Sequence, residues 1–397
     1  MSENELVASS DLSTMDLDGA ATWYEQNVAS QGLNAKKQYA MYLLEKEQET
    51  KAFEVIGEYV SQVLEDRISL HGDNLVETAE TLFYFGSEAL SYVENDLADK
   101  CFDTAALLYG MVHRETKDED ALLLQYRQDV ARQMIGENAG DVLKWSSIEN
   151  GISSLALEDD HMGSVSRAFA MSLVAQTYAV RAKVHQAALM NTSALDLYLS
   201  AMELAKQAGE ILRSDTEYKG PIDIKGACLE VYLMLSDGYS SLGNLFLDID
   251  VNSAKDALES ALKAIDIARN EFNATEDKIL LFECNTYSRL AMCYMRKDNN
   301  EEAAKFVEKA IDLQKKACKI YDLEFLYTEL CLSYYSACSI YRALKRHDKA
   351  MEYGQLGLEA YNKAVEAGEN VPDEEIHEDL KKYASGKKKG LFSKLFG

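Results

Sequence analysis

The chain has 397 residues with a formal net charge of −26 at pH 7, 47% hydrophobic and 27% charged residues, and only 2 Pro and 21 Gly. So few chain breakers exclude a sheet-rich fold with many turns. The acidic balance excludes a phosphate-binding groove, since counterion release needs a basic surface, and leaves basic or neutral proteins as the expected partners and nucleic acid as no partner.

Read in chain order, the N-terminal stretch MSENELVASSDLSTMDLDGA holds acids and no Lys or Arg, so it lacks the basic start and apolar run of a signal peptide. Residues 1–20 read as a disordered acidic N-terminus. No apolar run reaches the length of a membrane span. A cytoplasmic protein is the expectation. The 7 Cys (101, 228, 284, 293, 318, 331 and 338) are odd in number and form no CxxC pair, which points to reduced packing residues rather than disulfides or zinc.

From about residue 33 a spacing recurs. In SRLAMCYMRKDNNEEAAKFVEKAIDL, small residues stand at Ala291, Ala303 and Ala310 with Val307 between, giving intervals of 12, 4 and 3. Intervals of 12 also separate Ala40 from Ala52, Gly86 from Ala98, Ala182 from Ala194, and Cys338 from Ala350. The following 4 and 3 place Phe102 and Ala105, Tyr198 and Ala201, and Gly354 and Gly357, with Ile56 and Tyr59 a looser match. Gly238 reaches Ala257, Ala261 and Ala264 only if NLFLDIDVN carries a seven-residue insertion, and a copy at Ala131 uses Leu143, Ser147 and Asn150.

Antiparallel helices joined by a short turn approach closely only where small side chains face one another, so each pair marks a helical hairpin. Helical spacing of Ala303, Phe306, Val307, Ala310, Ile311 and Leu313 agrees. The polar stretches RKDNNEE and LKRHDKA read as turns with Asn or Asp capping the second helix. Residues 372–384, PDEEIHEDLKKYA, read as a capping helix with Pro at its start, acids in its first turn and lysines in its last.

These residues resemble the tetratricopeptide repeat family, in a long-helix variant. That motif has small residues at positions 8, 20 and 27 and large ones at 4, 7, 11 and 24; Tyr287, Leu290, Ala291, Tyr294, Ala303, Val307 and Ala310 match it. The copy with Tyr334, Cys338, Tyr341 and Ala350 also matches, but places Gly354 where a large residue belongs. Two departures stand out: anchors lie 45 to 56 residues apart instead of 34, and the motif's terminal Pro is missing. Helices longer by about two turns account for both. The resemblance implies an all-α, right-handed superhelical solenoid of about seven hairpins over residues 21–371, followed by the cap.

It further implies a non-enzymatic scaffold that binds a protein or peptide in a concave groove without cofactor or metal. The groove positions of the motif's first helix fall here on Asn34, Lys37, Phe83, Gln176, Lys183, Tyr232, Tyr239, Asn285, Met292, Arg296, Tyr335 and Arg342. Glu45, Glu80, Gln186 and Met295 also fall on such positions. Asn, Lys and Arg there suit a peptide backbone or a terminal carboxylate. The family's carboxylate clamp is not expected, because Met41, Glu80, Phe83 and Ser87 occupy its positions. Tyrosines 232, 239, 287, 294, 334, 335 and 341 read mainly as packing residues.

Reactive groups do not converge in the sequence. His71, His113, His161, His185, His347 and His377 are isolated, and no phosphate-loop, dinucleotide or nucleophile-elbow motif occurs. The tail differs from the body: residues 381–397 carry six Lys and no acid. Residues 385–397 read as a flexible basic and aromatic tail. In it Lys387, Lys388, Lys389 and Lys394 accompany Leu391, Phe392, Leu395 and Phe396, four apolar side chains that share one face of a short helix. That composition suits docking to a partner, weak peripheral contact with an anionic membrane, or folding back on the acidic body. A regulator switched by a peptide or by its own tail is the alternative to a plain scaffold.

Overall fold

The computed structural model describes residues 12–135, 140–158, 162–215, 217–321 and 325–385. The described residues are helical with no strand. Their contacts fall into two compact units, one reaching Val184 and including Ser214–Asp223, the other made of His185–Arg213 and the chain from Ile224.

The first unit contains α1 (Leu17–Gln31), α2 (Leu33–Glu45), α3 (Glu49–Asp66), α4 (Asp73–Ser91), α5 (Asn95–Thr116), α6 (Glu119–Gln133), α7 (Val142–Glu158) and most of α8 (Ser164–Ala187). Its pairs α2–α3, α4–α5 and α6–α7 pack as hairpins. Helix α1 begins inside the stretch read as a disordered end. Asp16 caps it by accepting from Gly19 N at 2.8 Å, Tyr42 donates to Met15 O at 2.9 Å, and Leu12 is buried. Order there comes from Tyr42, a tertiary contact that a composition argument does not register.

The second unit holds nearly all of α9 (Asn191–Ser214), followed by α10 (Ile224–Phe246), α11 (Val251–Phe272), α12 (Glu276–Arg296), α13 (Asn300–Ile320), α14 (Leu326–Ala343), α15 (His347–Glu366) and α16 (Glu374–Ala384). Pairs α10–α11, α12–α13 and α14–α15 are hairpins, and α16 lies on α15. Helices α8 to α13 run to 21–24 residues, which accounts for the long repeat.

Most anchors behave as their spacing requires. Ala40, Ala52, Ala98, Ala182, Ala194 and Ala303 are fully buried, with Ala291 and Ala350 nearly so. A Cβ on Gly86 would lie 2.8 Å from the Phe102 ring, so only glycine lets α4 meet α5 there.

Two anchors need correction. No insertion separates α10 from α11: an ordinary turn, residues 247–250, precedes α11, and the series is Ala254, Leu258, Ala261. The glycine facing it is Gly243, where a Cβ would lie 2.5 Å from Leu258. Gly238 instead faces Met202 of α9, and Ala257 is only half-buried. At the weak copy, Leu143 is 84% exposed and Ser147 and Asn150 are exposed too. The packed stripe of α7 is Trp145, Ile148 and Ile152, and Gly151 fits against Tyr126 of α6, so the small residue sits on the second helix.

Five of the turns between helices share a device that involves no glycine, which the α10–α11 turn does not use. Glu47, Val93, Leu189, Asp298 and Lys345, each two residues past a helix end, adopt φ of 54° to 64°. The next residue's N–H then reaches five residues back, as in Glu94 N to Ala89 O at 2.9 Å and Asn299 N to Tyr294 O at 2.9 Å. Asn299 caps α13 as expected, accepting from Glu302 N at 3.4 Å. At the start of α15 the cap position is Arg346, with no side-chain cap bond, so the Asp reading there fails.

The terminal helix explains Gly354, which stands where the motif wants a large residue. A Cβ on it would lie 2.7 Å from the Ala384 backbone N, and one on Gly357 would lie 2.6 Å from Leu380. Both glycines seat α16, and Leu380 is fully buried.

Candidate protein-interaction surface

In the first unit two of the five residues assigned to a groove, Lys37 and Phe83, are engaged between hairpins. Lys37 Nζ donates to Glu77 Oε1 at 2.6 Å, tying α2 to α4. Phe83 packs near Phe102 and under the Arg127 guanidinium, 3.9 Å from its ring centre. Arg127, nearly buried, also donates to Glu80 Oε1 at 2.9 Å, and Tyr109 donates to the same carboxylate. Asn34 and Lys183 are exposed, and Gln176 is half-buried. A separate polar pocket lined by Asp96, Asp99, Asp129, Arg132, Asp141 and Lys144 has its arginine occupied, since Arg132 Nε donates to Asp99 Oδ1 at 3.0 Å and Nη1 to Asp103 Oδ1 at 2.5 Å.

In the second unit the assigned residues divide. Tyr232 is 6% exposed and stacks on Phe272 at 5.6 Å. Tyr335 is 8% exposed, donates to Asp379 Oδ2 at 3.3 Å and meets Tyr383 edge-on, so it seats α16 instead of lining open space. Arg342 lies over the same Tyr383 ring. Arg296 donates to Leu247 O and, at 2.7 Å, to Asp248 Oδ1, which locks the α10–α11 turn. For Tyr232, Tyr335 and Arg296 the structure thus replaces a groove position by a packing one. Phe272 covers Tyr232, α16 covers Tyr335 and the turn after α10 engages Arg296, tertiary contacts that residue spacing does not record. Tyr239 and Met292 are half-buried and Asn285 is exposed.

The first helices α10, α12 and α14 are linked by hydroxyl groups. Thr286 Oγ1 lies 3.4 Å from Ser240 Oγ, and Ser288 Oγ lies 3.4 Å from Ser333 Oγ. Small hydroxyl side chains let these helices approach while satisfying one another. Beside this seam stands Arg289 on α12, whose Nη1 donates to Ser240 Oγ at 2.7 Å.

Sequence reasoning did not single out Arg289. Its neighbours are Asp237 of α10 and Glu329 of α14, which attract it without ion-pair contact. Burial pulls the guanidinium below the usual arginine range, against the pull of Asp237, Glu329 and Tyr198. Burial likewise pushes the Glu329 carboxyl up, although Arg289 opposes this and Glu369 adds to it. Both side chains are half-buried, so each keeps part of its hydration. The signal that could have found them was the register of α10: anchoring on Gly243 places Ser240, not Tyr239, toward α12.

Burial pushes the Cys101, Cys284 and Cys331 thiols up to about 12, away from the reactive thiolate. Among the described residues no three His, Cys, Asp or Glu side chains come together in a metal-holding group, and no helix is long and apolar enough to cross a membrane. The tail residues Lys387, Lys388, Lys389, Leu391, Phe392, Lys394, Leu395 and Phe396 lie outside the described residues.

No family model matches the chain, and no curated protein matches it. Among solved structures, the crystal structure of the APC/C hetero-tetramer Cut9-Hcn1 is similar at 13% identity, over 94% of this chain and 87% of that one, with a TM-score of 0.18. That score describes no superposable geometry, and the helical-hairpin fold stands on the packing described above.

Proposed function

We propose that the protein is a non-enzymatic interaction scaffold that holds a peptide or protein segment on the first-helix face of the second unit. The observation that carries this reading is the seam of α10, α12 and α14. There preformed helices joined by Ser240, Thr286, Ser288 and Ser333 support the half-buried Met292, Arg289 and Glu329 beside exposed Asn285. A rigid face of this kind loses little conformational entropy on binding, so the cost of ordering falls on the ligand. Apolar Met292 offers adaptable contact, and Asn285 offers amide hydrogen bonds.

The groove residues that this reading keeps are Asn285, Met292 and Tyr239, with Asn34 and Gln176 as the corresponding residues of the first unit. The basic and aromatic tail, Lys387 to Phe396, would add a docking element for the same partner or for an anionic membrane.

The test is selection of a displayed peptide library on the full chain, followed by affinity measurement on variants. Selected peptides are expected to lose at least tenfold in affinity with Asn285→Ala combined with Met292→Ala, while Leu143→Ala on the first unit leaves them unchanged. Failure to select any peptide, or equal affinity for both variants, would overturn the reading. Truncation after Ser385 separates the tail's share.

A further inference from the structure

Helix α16 stands where a first helix stands, and among the described residues no second helix follows it. Contacts between successive first helices recur at intervals of 46, 45 and 44 residues: Thr286 with Ser240, Ser288 with Ser333, and Tyr335 with Asp379 beside Ser339 with Tyr383. Second helices keep the same interval. Arg346, at the start of α15, donates to Glu301 of α13 at 3.0 Å, and Tyr353 donates to Glu308 at 3.2 Å, each 45 residues apart. The same interval beyond Arg346 falls on Leu391.

Helix α15 has a side prepared for that next helix. Helices α14 and α16 pack on it, and α13 reaches it through Glu308, which accepts from Lys349 and Tyr353. About half a turn round from Lys349 and Tyr353, Met351, Leu358 and Val365 repeat at seven-residue intervals. Met351 and Leu358 are half-buried, and Val365 is 53% exposed. Each is followed by an exposed acid, Glu352, Glu359 or Glu366, so an apolar stripe is edged by negative charge.

We infer that residues 391–396 dock on this side of α15 as the second helix of the last hairpin, with Leu391, Phe392, Leu395 and Phe396 on the stripe and Lys387, Lys388 and Lys389 in the connecting turn beside the acids. Repeat stacking requires an occupant there, because each hairpin covers its face with the next. The segment is basic and apolar together, the complement of the stripe and its edge. Its reach also suffices. A Cβ on Gly354 would lie 2.7 Å from Ala384 N, which puts the end of α16 about one helical turn from Met351. Residues 385–390 extend to roughly 20 Å, against a step of about 10 Å between packed helices. A docked tail is withheld from any partner or membrane, so the contact is autoinhibitory. It goes beyond the scaffold reading and does not depend on it.

The test uses full chains and a synthetic peptide of residues 386–397. A silenced chain carries Leu391→Ser, Phe392→Ser, Leu395→Ser and Phe396→Ser, and the readout is the Met351 methyl signal, assigned as the one lost in Met351→Leu. The peptide is expected to shift that signal in the silenced chain along a saturating curve, and to bind the wild-type chain at least fivefold more weakly because its own tail holds the stripe. Placed in the silenced chain, Val365→Asp, and separately Glu352→Lys with Glu359→Lys, should each weaken the peptide at least fivefold; all three positions are exposed. Leu143→Asp on the first unit should leave it unchanged. No binding, binding that leaves the Met351 signal in place, binding indifferent to the α15 variants, or equal binding by the silenced and wild-type chains would each overturn the contact. A wild-type chain that binds vesicles of phosphatidylcholine and phosphatidylserine as strongly as Val365→Asp does would assign the tail to a membrane and overturn it as well.

Discussion

An arginine on one first helix and a glutamate on a neighbouring one occur in both units, with opposite outcomes. In the first unit Arg127 of α6 closes on Glu80 of α4 and is sandwiched over Phe83, with Tyr109 completing the network. In the second, Arg289 of α12 and Glu329 of α14 are both displaced from their usual ionisation ranges by burial and remain apart. The lesson is that similar side chains on equivalent elements serve stability where they are matched. Where they stay apart and half-exposed, each keeps part of its hydration instead.

The comparison breaks first at the closed pair. Glu80→Ala takes the paired carboxylate away from the nearly buried Arg127, so it is expected to cost about 3 kcal/mol, the low end for a broken buried pair because Glu80 is partly solvated. A urea midpoint measurement checks this. A loss below about 1 kcal/mol would show that Arg127 reaches water without Glu80.

Next comes Gly354→Ala, which asks whether Tyr335 belongs to packing or to an open surface. The new methyl would meet the Ala384 backbone, which cannot swing aside as a side-chain tip can. An overpacking cost of about 2 kcal/mol and faster amide exchange throughout α16 are expected. Unchanged exchange would mean that α16 slides without loss, and that Tyr335 is not held as described.

A double-mutant cycle sharpens the contrast. The Arg127–Glu80 pair should show coupling of about 1.5 kcal/mol or more, and Arg289–Glu329 about 0.5 kcal/mol or less. Equal couplings would erase the distinction between the two sites.

The smallest effect carries a sign. Because the Glu329 carboxyl is pushed up, the folded chain holds that proton more tightly than the unfolded chain does. Stability is therefore lost as pH rises from the ordinary carboxylate value through the raised folded one. Glu329→Gln should stabilise the protein slightly at pH 7, with the gain fading on acidification. A binding residue behaves this way, whereas a residue kept for stability would lose on substitution.

Much of the fold was legible because small-residue spacing is a local record of where two helices touch. Ala40 with Ala52, Ala291 with Ala303, and a terminal cap within 372–384 could be read directly. The candidate surface was less legible. Tyr232, Tyr335 and Arg296 have the chemistry of groove residues and pack between elements, while Arg289 looks like any helix-surface arginine until α10 and α14 are placed beside it.

The sequence alone determined an all-α chain of helical hairpins with a terminal cap, since helical periodicity and small residues at contact points are properties of each segment. Tertiary structure decided the register of α10. A glycine does not reveal which neighbour it faces: Gly238 accommodates Met202 from the preceding helix, whereas Gly243 accommodates Leu258 from its own hairpin partner. It also decided the turns, where Val93 and Leu189 adopt the left-handed conformation because both flanking helices are held by packing, which outweighs the local backbone cost of about 1 kcal/mol.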